Sequence, residues 1–315
     1  MVFLQLASNL SYYNFYFNFA FPENEKVMAK EAGKRLISAI QKQNEKTIYL
    51  CAAGNISPNV AVHEIRKSFK RIRALLHFFD EVNESGIVQF KVRIKELGRA
   101  LSELRESFVN LQFFEREMLR NKLIPEQKLT SAHEKLEHKN AELVQEKFTA
   151  NRLCNQIKQT LEVFSAYLDS PDVLPAKKHL FEQTVSSYAK CFRLYSELPT
   201  DQPPEEMHEL RKKIKRLWYQ FDFLRFMQPR FFRLKADQLN HISEHLGEDH
   251  DLHVFLQELK SDYLGFDSEE LQILENQLRH LRELNLVKLN PRLNQFLSES
   301  PENFEAKMQK IFKLE

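Results

Sequence analysis

The sequence predicts an all-α protein, and three observations support this prediction. Only six of the 315 residues are glycine, so few positions suit the tight turns and bulges that β-sheets need. Leu, Glu, Lys, Gln, Arg and Ala dominate the chain, and these residues favour helix. Between the Gly- and Pro-containing breaks there is no useful length of alternating polar and apolar residues.

Taken in order, the predicted elements begin after an aromatic first segment. Residues 1–26 lack a basic start and are interrupted by asparagines, which makes a poor signal peptide or membrane span. We interpret them as an extension outside the fold, because the charged helical pattern starts at VMAKEAGKRLISAI. Long helical stretches follow, separated by AAGNISP, ESG, KLIP, DSPDVLP, LPTDQPPEE and MQP. Residues 125–168 have no internal Gly or Pro and predict one long helix or a helical hairpin with a solvated charged surface.

The composition excludes several classes of site. Cys51, Cys154 and Cys191 are odd in number and form no CxxC pair, so we expect neither a disulfide framework nor a cysteine metal site. A reducing cytoplasm fits this cysteine usage best. The few glycines also argue against a Walker or dinucleotide loop. Because the net charge is only +2, any electrostatic function must come from local segregation of charge.

An internal repeat defines the organisation of the chain. The segment VHEIRKSFKRIRALLHFF at 62–79 aligns without a gap with MHELRKKIKRLWYQFDFL at 207–224, an offset of 145 positions. At the same offset, LSELRES at 101–107 aligns with LGEDHDL at 246–252. Two blocks in one register indicate a duplicated helical bundle. We therefore predict two similar halves, residues 30–165 and 172–315.

Each copy of the first block forms a helix with two different faces. At about 100° per residue, the cations of the first copy share a face with His63, while Ile65, Phe69 and Ile72 form the opposite apolar stripe. Residues 61–77 and residues 207–219 each carry five Lys or Arg and one Glu, a net charge of +4, so the rest of the chain is acidic. Two such cationic strips suit a linear polyanion better than a single small anion.

The two blocks resemble the repeats of the CHAD domain, the conserved histidine α-helical domain, over nearly all of residues 30–315. The resemblance implies two bundles of about four helices each, related by a pseudo-two-fold, with a basic surface or channel that binds inorganic polyphosphate. It implies ligand contacts from these positions: His63, Arg66, Lys67, Lys70, Arg71 and Arg73 in the first copy, and His208, Arg211, Lys212, Lys215 and Arg216 in the second.

The resemblance extends to further residues, and at one position this chain differs from the family pattern. Arg105 matches a frequent arginine of the family, and Lys190 and Arg193 lie in a segment similar to another of its basic helices. Tyr219 is an aromatic residue on the basic face of the second copy, and we include it among the binding residues. Trp218 stands where the first copy has an arginine, so we expect the second strip to be weaker on that side.

Non-catalytic binding is the predicted function, since the sequence shows no paired nucleophile and base and no carboxylate dyad. No cofactor is expected. The predicted partners are polyphosphate, polyphosphate granules and polyphosphate-metabolising enzymes, in the cytoplasm and away from membranes. Whether residues 1–26 belong to the native protein stays open, as does the preferred polyphosphate length.

Two alternatives compete with this interpretation. His241, His245, His250 and His253 cluster with acidic residues and suggest a metal site or a metal-dependent phosphohydrolase, although HExxH is absent and we expect Gly247 to break the helix. Basic helices also bind nucleic acids. Aromatic residues for base stacking are sparse on these faces, so nucleic acid is the less favoured partner.

Overall fold

The computed structural model describes residues 25–80, 85–150, 152–169 and 175–314, and within these ranges it contains helices and short connections but no strand. The all-α prediction is therefore confirmed. The α-helices are α1 (Glu25–Ala52), α2 (Pro58–Leu76), α3 (Ser85–Ala100), α4 (Ser102–Phe113), α5 (Leu119–Asn121), α6 (Glu126–Leu143), α7 (Arg152–Leu168), α8 (Lys177–Ser196), α9 (Pro204–Leu224), α10 (Pro229–Leu259), α11 (Ser268–Phe296) and α12 (Pro301–Phe312). The predicted extension, residues 1–26, lies outside the described residues except for the start of α1.

Proline and capping residues define where several helices begin. Proline opens four of them, α2, α9, α10 and α12, where its missing N–H would have had no partner within the helix. At the start of α11, Asp267 accepts hydrogen bonds from the backbone of Glu269 and Glu270, and Glu270 accepts one in return. The starts of α2, α9 and α10 correspond to predicted Pro-containing breaks, whereas the starts of α11 and α12 were not predicted.

The apolar stripes pack into two cores, and both predicted halves contribute to each core. The larger core includes Ile65 and Phe69 of α2 together with Ile214 of α9. The smaller core joins Phe114 of the first half to Phe255 of the second, whose ring centroids are 6.2 Å apart. Residues from the two halves of the repeat are thus buried against each other.

Two expectations about local structure are wrong. Helix α10 runs through Gly247 without interruption. One glycine in a helix costs only about 1 kcal/mol relative to alanine, and the buried apolar face of α10 offsets that cost. Residues 125–168 form two helices separated by a π-helical stretch at Val144–Thr149. Helix α6 packs against α4, whereas α7 packs against α1 and α3.

The charged surface of α6 is also less solvated than we expected. Lys139 Nζ lies 2.6 Å from a carboxylate oxygen of Glu258, and Lys128 Nζ lies 3.2 Å from one of Glu270. Lys135 donates a hydrogen bond to the backbone oxygen of a residue in the second half, at 3.1 Å. Several of these lysines therefore connect the two halves.

Four helices surround the region that holds the basic motifs. Helix α2 packs against both α9 and α4, and α10 packs against α9 and α4. The two copies of the first block, on α2 and α9, are therefore neighbours in space. Among the helices described, none has a stretch long and apolar enough to cross a membrane.

Candidate anion-binding site

Cations from both halves meet between α2, α4, α9 and α10. We call the set of Arg66, Lys70, Arg105, Arg211 and Lys215 the inner cationic cluster. Burial lowers the pKa of Arg66, and the positive charges of Arg105 and Arg211 lower it further. Burial likewise lowers the pKa of Lys70 well below its usual range, assisted by Arg211 and Lys215. Equivalent residues of the two copies therefore lie close enough to repel one another.

The two arginines at equivalent positions pack in similar ways. Arg66 Nη1 donates hydrogen bonds to the backbone oxygen of Gly98 at 2.5 Å and to Ser102 Oγ at 2.8 Å. The guanidinium of Arg211 lies over Gly247, where a Cβ would be 3.7 Å from Nη2. Ser102 and Gly247 occupy the same position in the repeat. In both arginines Nε is buried and has no hydrogen-bond partner among the described residues.

Most of the inner cationic cluster has no anionic partner. In the part of the chain that the structure describes, Lys70, Arg105, Arg211 and Lys215 form no ion pair or hydrogen bond. Lys215 Nζ instead lies 5.6 Å from the ring centroid of Trp218, and burial lowers its pKa to about 8. Cations brought together in this way repel each other unless an anion lies between them.

The carboxylates near the cluster are fewer than its five cations. Asp251 of α10 interacts electrostatically with four of them, all except Arg66, yet burial raises the pKa of Asp251 above the ordinary value. Glu106 of α4, at the equivalent position of the repeat, interacts with Arg66, and Glu244 of α10 interacts with Lys215. Asp251 makes no ion pair within the described ranges.

Three histidines border the cluster. His208 Nδ1 lies 3.0 Å from His250 Nδ1, and His63 lies near Arg105. Burial first, and neighbouring cations second, lower the pKa of His63 and of His208 to about 4 and that of His250 to about 3. All three side chains are therefore neutral near pH 7, and they can donate or accept hydrogen bonds there.

A second set of cations lies farther along α2 and α9. We call Arg73, Arg99, Lys190, Lys213 and Arg216 the outer cationic group. Burial lowers the pKa of Arg216, with a smaller contribution from Arg73, and burial lowers the pKa of Lys213, with contributions from Arg216 and Lys190. Arg99 of α3 contributes in the same way to the lowered pKa of Arg73. The strips predicted from the sequence thus divide into an inner and an outer set.

The remaining predicted residues already have partners or point outward. Lys67 and Lys212 lie on the exposed side, 3.7 Å from Glu64 and 2.6 Å from Glu209 respectively. Such exposed pairs contribute little to stability and leave the lysines available. Arg193 is exposed on α8.

Arg71 and Tyr219 form a local contact between α2 and α9. Arg71 makes an ion pair with Asp222 and lies 5.5 Å above the ring of Tyr219. Tyr219 is only 2% exposed, and its hydroxyl has no hydrogen-bond partner in the described parts of the chain. The ring stacks on Trp218, with centroids 4.6 Å apart, so it is covered rather than presented to a ligand.

The sequence prediction missed four residues that lie with these cations. His250 and Asp251 were assigned only to the alternative metal site, although the repeat already aligned His250 with Arg105. Lys213 stands within the second motif but falls off its basic face. Arg99 lies outside the two aligned blocks, and only the packing of α3 on α2 brings it close.

The histidines of residues 241–253 do not converge on one point in the structure. His245 contacts Asn285 Oδ1 at 2.8 Å, and His253 contacts the side chain of Gln257 at 3.0 Å, while His250 faces α9. Among the described residues, the group close enough to hold a metal is elsewhere: Glu115, His133 and Glu137. These two carboxylates approach different nitrogens of His133, at 3.1 and 3.7 Å, as ion pairs also do.

The chain was compared with known families, curated proteins and solved structures. It resembles PptA from Streptomyces chartreusis, with a TM-score of 0.62 and 12% identity over 85% of this chain and 99% of that one. It also resembles the crystal structure of the CHAD domain from the plant Ricinus communis, with a TM-score of 0.50 and 16% identity over 91% and 92% of the two chains. Among curated proteins, none matches this sequence. At these identities the two structures establish a similar fold. The CHAD domain family matches residues 32–295, which is most of the chain, so the protein belongs to the CHAD domain family.

Proposed function

We propose that the chain binds inorganic polyphosphate without turnover, through the inner cationic cluster. The observation that carries this proposal is that cations of both halves are brought together, outnumber the nearby carboxylates and form no ion pair among the described residues. A phosphate chain would supply that charge through charge-assisted hydrogen bonds to arginine and point contacts to lysine. The proposed cytoplasmic location and the association with polyphosphate granules or enzymes follow from this ligand.

A linear ligand fits the arrangement better than one phosphate group. Arg66 and Arg73 are seven residues apart on α2, which corresponds to about 10 Å along a helix axis. A polyanion can therefore contact the inner cationic cluster and the outer cationic group together. Short anions reach only one of them, so we expect affinity to increase with chain length.

Inorganic polyphosphate is favoured over nucleic acid by the environment of the aromatic residues. Tyr219 is buried, and Trp218 is in contact with Lys215 and Tyr219. Base stacking on exposed aromatic rings gives single-stranded nucleic-acid binders much of their affinity. The cluster offers cations and imidazoles for phosphate contacts, while its neighbouring aromatic rings are buried or already stacked and do not offer a surface for bases.

The test is a calorimetric titration with polyphosphates of graded length, together with pyrophosphate and single- and double-stranded DNA. We expect binding that strengthens with length and weakens linearly with the logarithm of salt concentration. If DNA displaces polyphosphate at equal phosphate concentration and physiological salt, the chain is a nucleic-acid-binding protein instead. If polyphosphate is hydrolysed during the titration, the absence of turnover is wrong.

A single substitution separates a binding role from a structural one. Arg211→Gln removes a cation that forms no ion pair among the described residues, so it should weaken polyphosphate binding roughly tenfold or more. It should also raise the free energy of unfolding of the free protein, by roughly 1 kcal/mol, because repulsion within the cluster decreases. The matched control is Arg230→Gln, an exposed arginine of α10, which should change neither property. Equal effects of both variants would show that affinity and stability depend only on the net charge of the protein.

A further inference from the structure

Asp251 is distinguished from the other acidic residues of α10 by its surroundings. It lies one helical turn after Gly247, and residues four apart share a face of a helix. The guanidinium of Arg211 lies over that face, 3.7 Å from where a Cβ of Gly247 would be. The preceding residue, His250, contacts His208 at 3.0 Å. The backbone thus places the carboxylate of Asp251 at the junction of α9 and α10, beside the inner cationic cluster.

Neighbouring acidic residues have partners of their own. Asp249 is buried and accepts a hydrogen bond from Arg282 Nε at 2.8 Å. Glu248 is exposed and lies 3.4 Å from His245 Nδ1. Asp251, in contrast, has no ion-pair partner within the described ranges, although cations of α2, α4 and α9 surround it. Its negative charge interacts with several cations at once instead of forming an ion pair with one of them.

We propose that Asp251 is an internal counter-ion of the inner cationic cluster, the one that acts on most of its cations, and that it limits the affinity of the site for polyphosphate. This proposal rests on the proposed function. In the free protein the carboxylate reduces repulsion among Lys70, Arg105, Arg211 and Lys215. When phosphate groups bind to the cluster, the carboxylate repels them and competes with them for the same cations. Part of the binding free energy is therefore lost. A device of this kind keeps binding reversible, because the cluster is never left without a counter-charge.

The test compares Asp251→Asn with Glu248→Gln in the full chain, by titration with polyphosphate at neutral pH and fixed salt. Both substitutions remove one negative charge from the same helix, and Glu248 lies outside the cluster. We expect Asp251→Asn to bind polyphosphate roughly tenfold more tightly, since a like charge next to the bound anion is removed. We expect Glu248→Gln to change affinity by less than about twofold, because exposed charges interact weakly.

Unchanged or weaker binding by Asp251→Asn, with normal binding by the original protein, would overturn the proposal and leave the proposed function in place. If neither protein binds polyphosphate, the proposed function itself fails. The neutral variant can also lose stability, since repulsion among the cations is then uncompensated. In that case polyphosphate, but not sodium chloride at the same ionic strength, should restore its helical circular dichroism. A variant that stays unfolded with polyphosphate contradicts the proposal.

Discussion

At the scale of single residues, the unusual feature is a group of cations that lie together and form no ion pair among the described residues. Buried charged groups are normally paired, because an isolated charge loses its hydration. Arg66 and Arg211 each leave Nε unpartnered, and at Lys70 burial and neighbouring charges together lower the pKa. Cations held together in this way repel each other, and under the proposed function a bound polyphosphate would relieve that repulsion.

The histidines at the cluster should make polyphosphate binding depend on pH. In the free protein the pKa values of His63 and His208 are lowered to about 4 and that of His250 to about 3. A bound polyanion favours the protonated imidazole and raises these values, so protons are taken up on binding. We expect affinity to increase as pH falls from about 7 to about 5. Calorimetry in two buffers with different ionisation enthalpies measures the uptake.

A variant isolates the contribution of the histidine pair. His208→Asn should reduce the number of protons taken up when polyphosphate binds. Protons that bind to polyphosphate itself contribute equally for both proteins, so they cancel in the difference between the variant and the original protein. Equal proton uptake by the two proteins would exclude a role for His208.

The stability of the free protein should depend on pH in the opposite direction. Because the pKa of these histidines is lower in the folded state, the unfolded chain binds the proton first as pH falls. Stability should therefore fall as pH decreases from the ordinary histidine value of 6.5 towards 4.

At the scale of elements, the position of each cation depends on how straight the helices are and how closely they pack. Helix α10 continues through Gly247 and presents its face to Arg211 of α9. A break at Gly247 would have separated His241 and His245 from His250. The uninterrupted helix instead places these histidines at successive turns with different neighbours. This is why the alternative metal site does not form as a cluster among the described residues.

Replacing Gly247 by alanine should stabilise the protein. The new Cβ would lie 3.7 Å from Arg211 Nη2, an ordinary contact, and the helix interior favours alanine by about 1 kcal/mol. Thermal or urea unfolding of Gly247→Ala measures the gain, and polyphosphate affinity should change little. The contrasting control is Gly86→Ala, whose Cβ would lie 2.6 Å from the ring of Tyr167 and should destabilise. A loss of stability in Gly247→Ala would mean that Arg211 cannot accommodate a side chain there.

At the scale of the whole molecule, the two halves of the repeat share their cores. Phe114 packs against Phe255, and α6 of the first half is linked by Lys139 to Glu258 of the second. The inner cationic cluster draws on both halves in the same way. Folding therefore depends on both halves together, and so does the proposed binding.

Separately produced halves should not fold on their own. A fragment that ends at residue 169 and one that begins at residue 175 would each expose one side of both cores to water, which removes most of the hydrophobic stabilisation. Circular dichroism with thermal melting should show no cooperative transition for either fragment. Mixing the two fragments should restore one. A cooperative melt by one fragment alone would instead establish that half as an independent domain.

Much of the fold was predictable because it follows from local rules. Proline at the start of α2 and α9, the few glycines and the two-sided pattern of each motif are local features, and they predicted the helices. The repeat added the correspondence between Arg66 and Arg211. Local rules could not predict which residues pack against each basic face. Ser102 and Gly247, which lie next to Arg66 and Arg211, are a polar and a small residue, and neither belongs to a periodic pattern.

The sequence by itself determined that the protein is all-α, that it contains a duplicated basic helix, and which residues share the basic face of each copy. The spacing of apolar and charged residues contains this information, because a helix brings residues back to the same face every 3.6 positions. Only the tertiary structure decided that α2 and α9 pack together, that Arg71 is paired with Asp222, and that Asp251 and His250 join the cluster. Those facts depend on contacts between residues far apart in the chain, which no local pattern encodes.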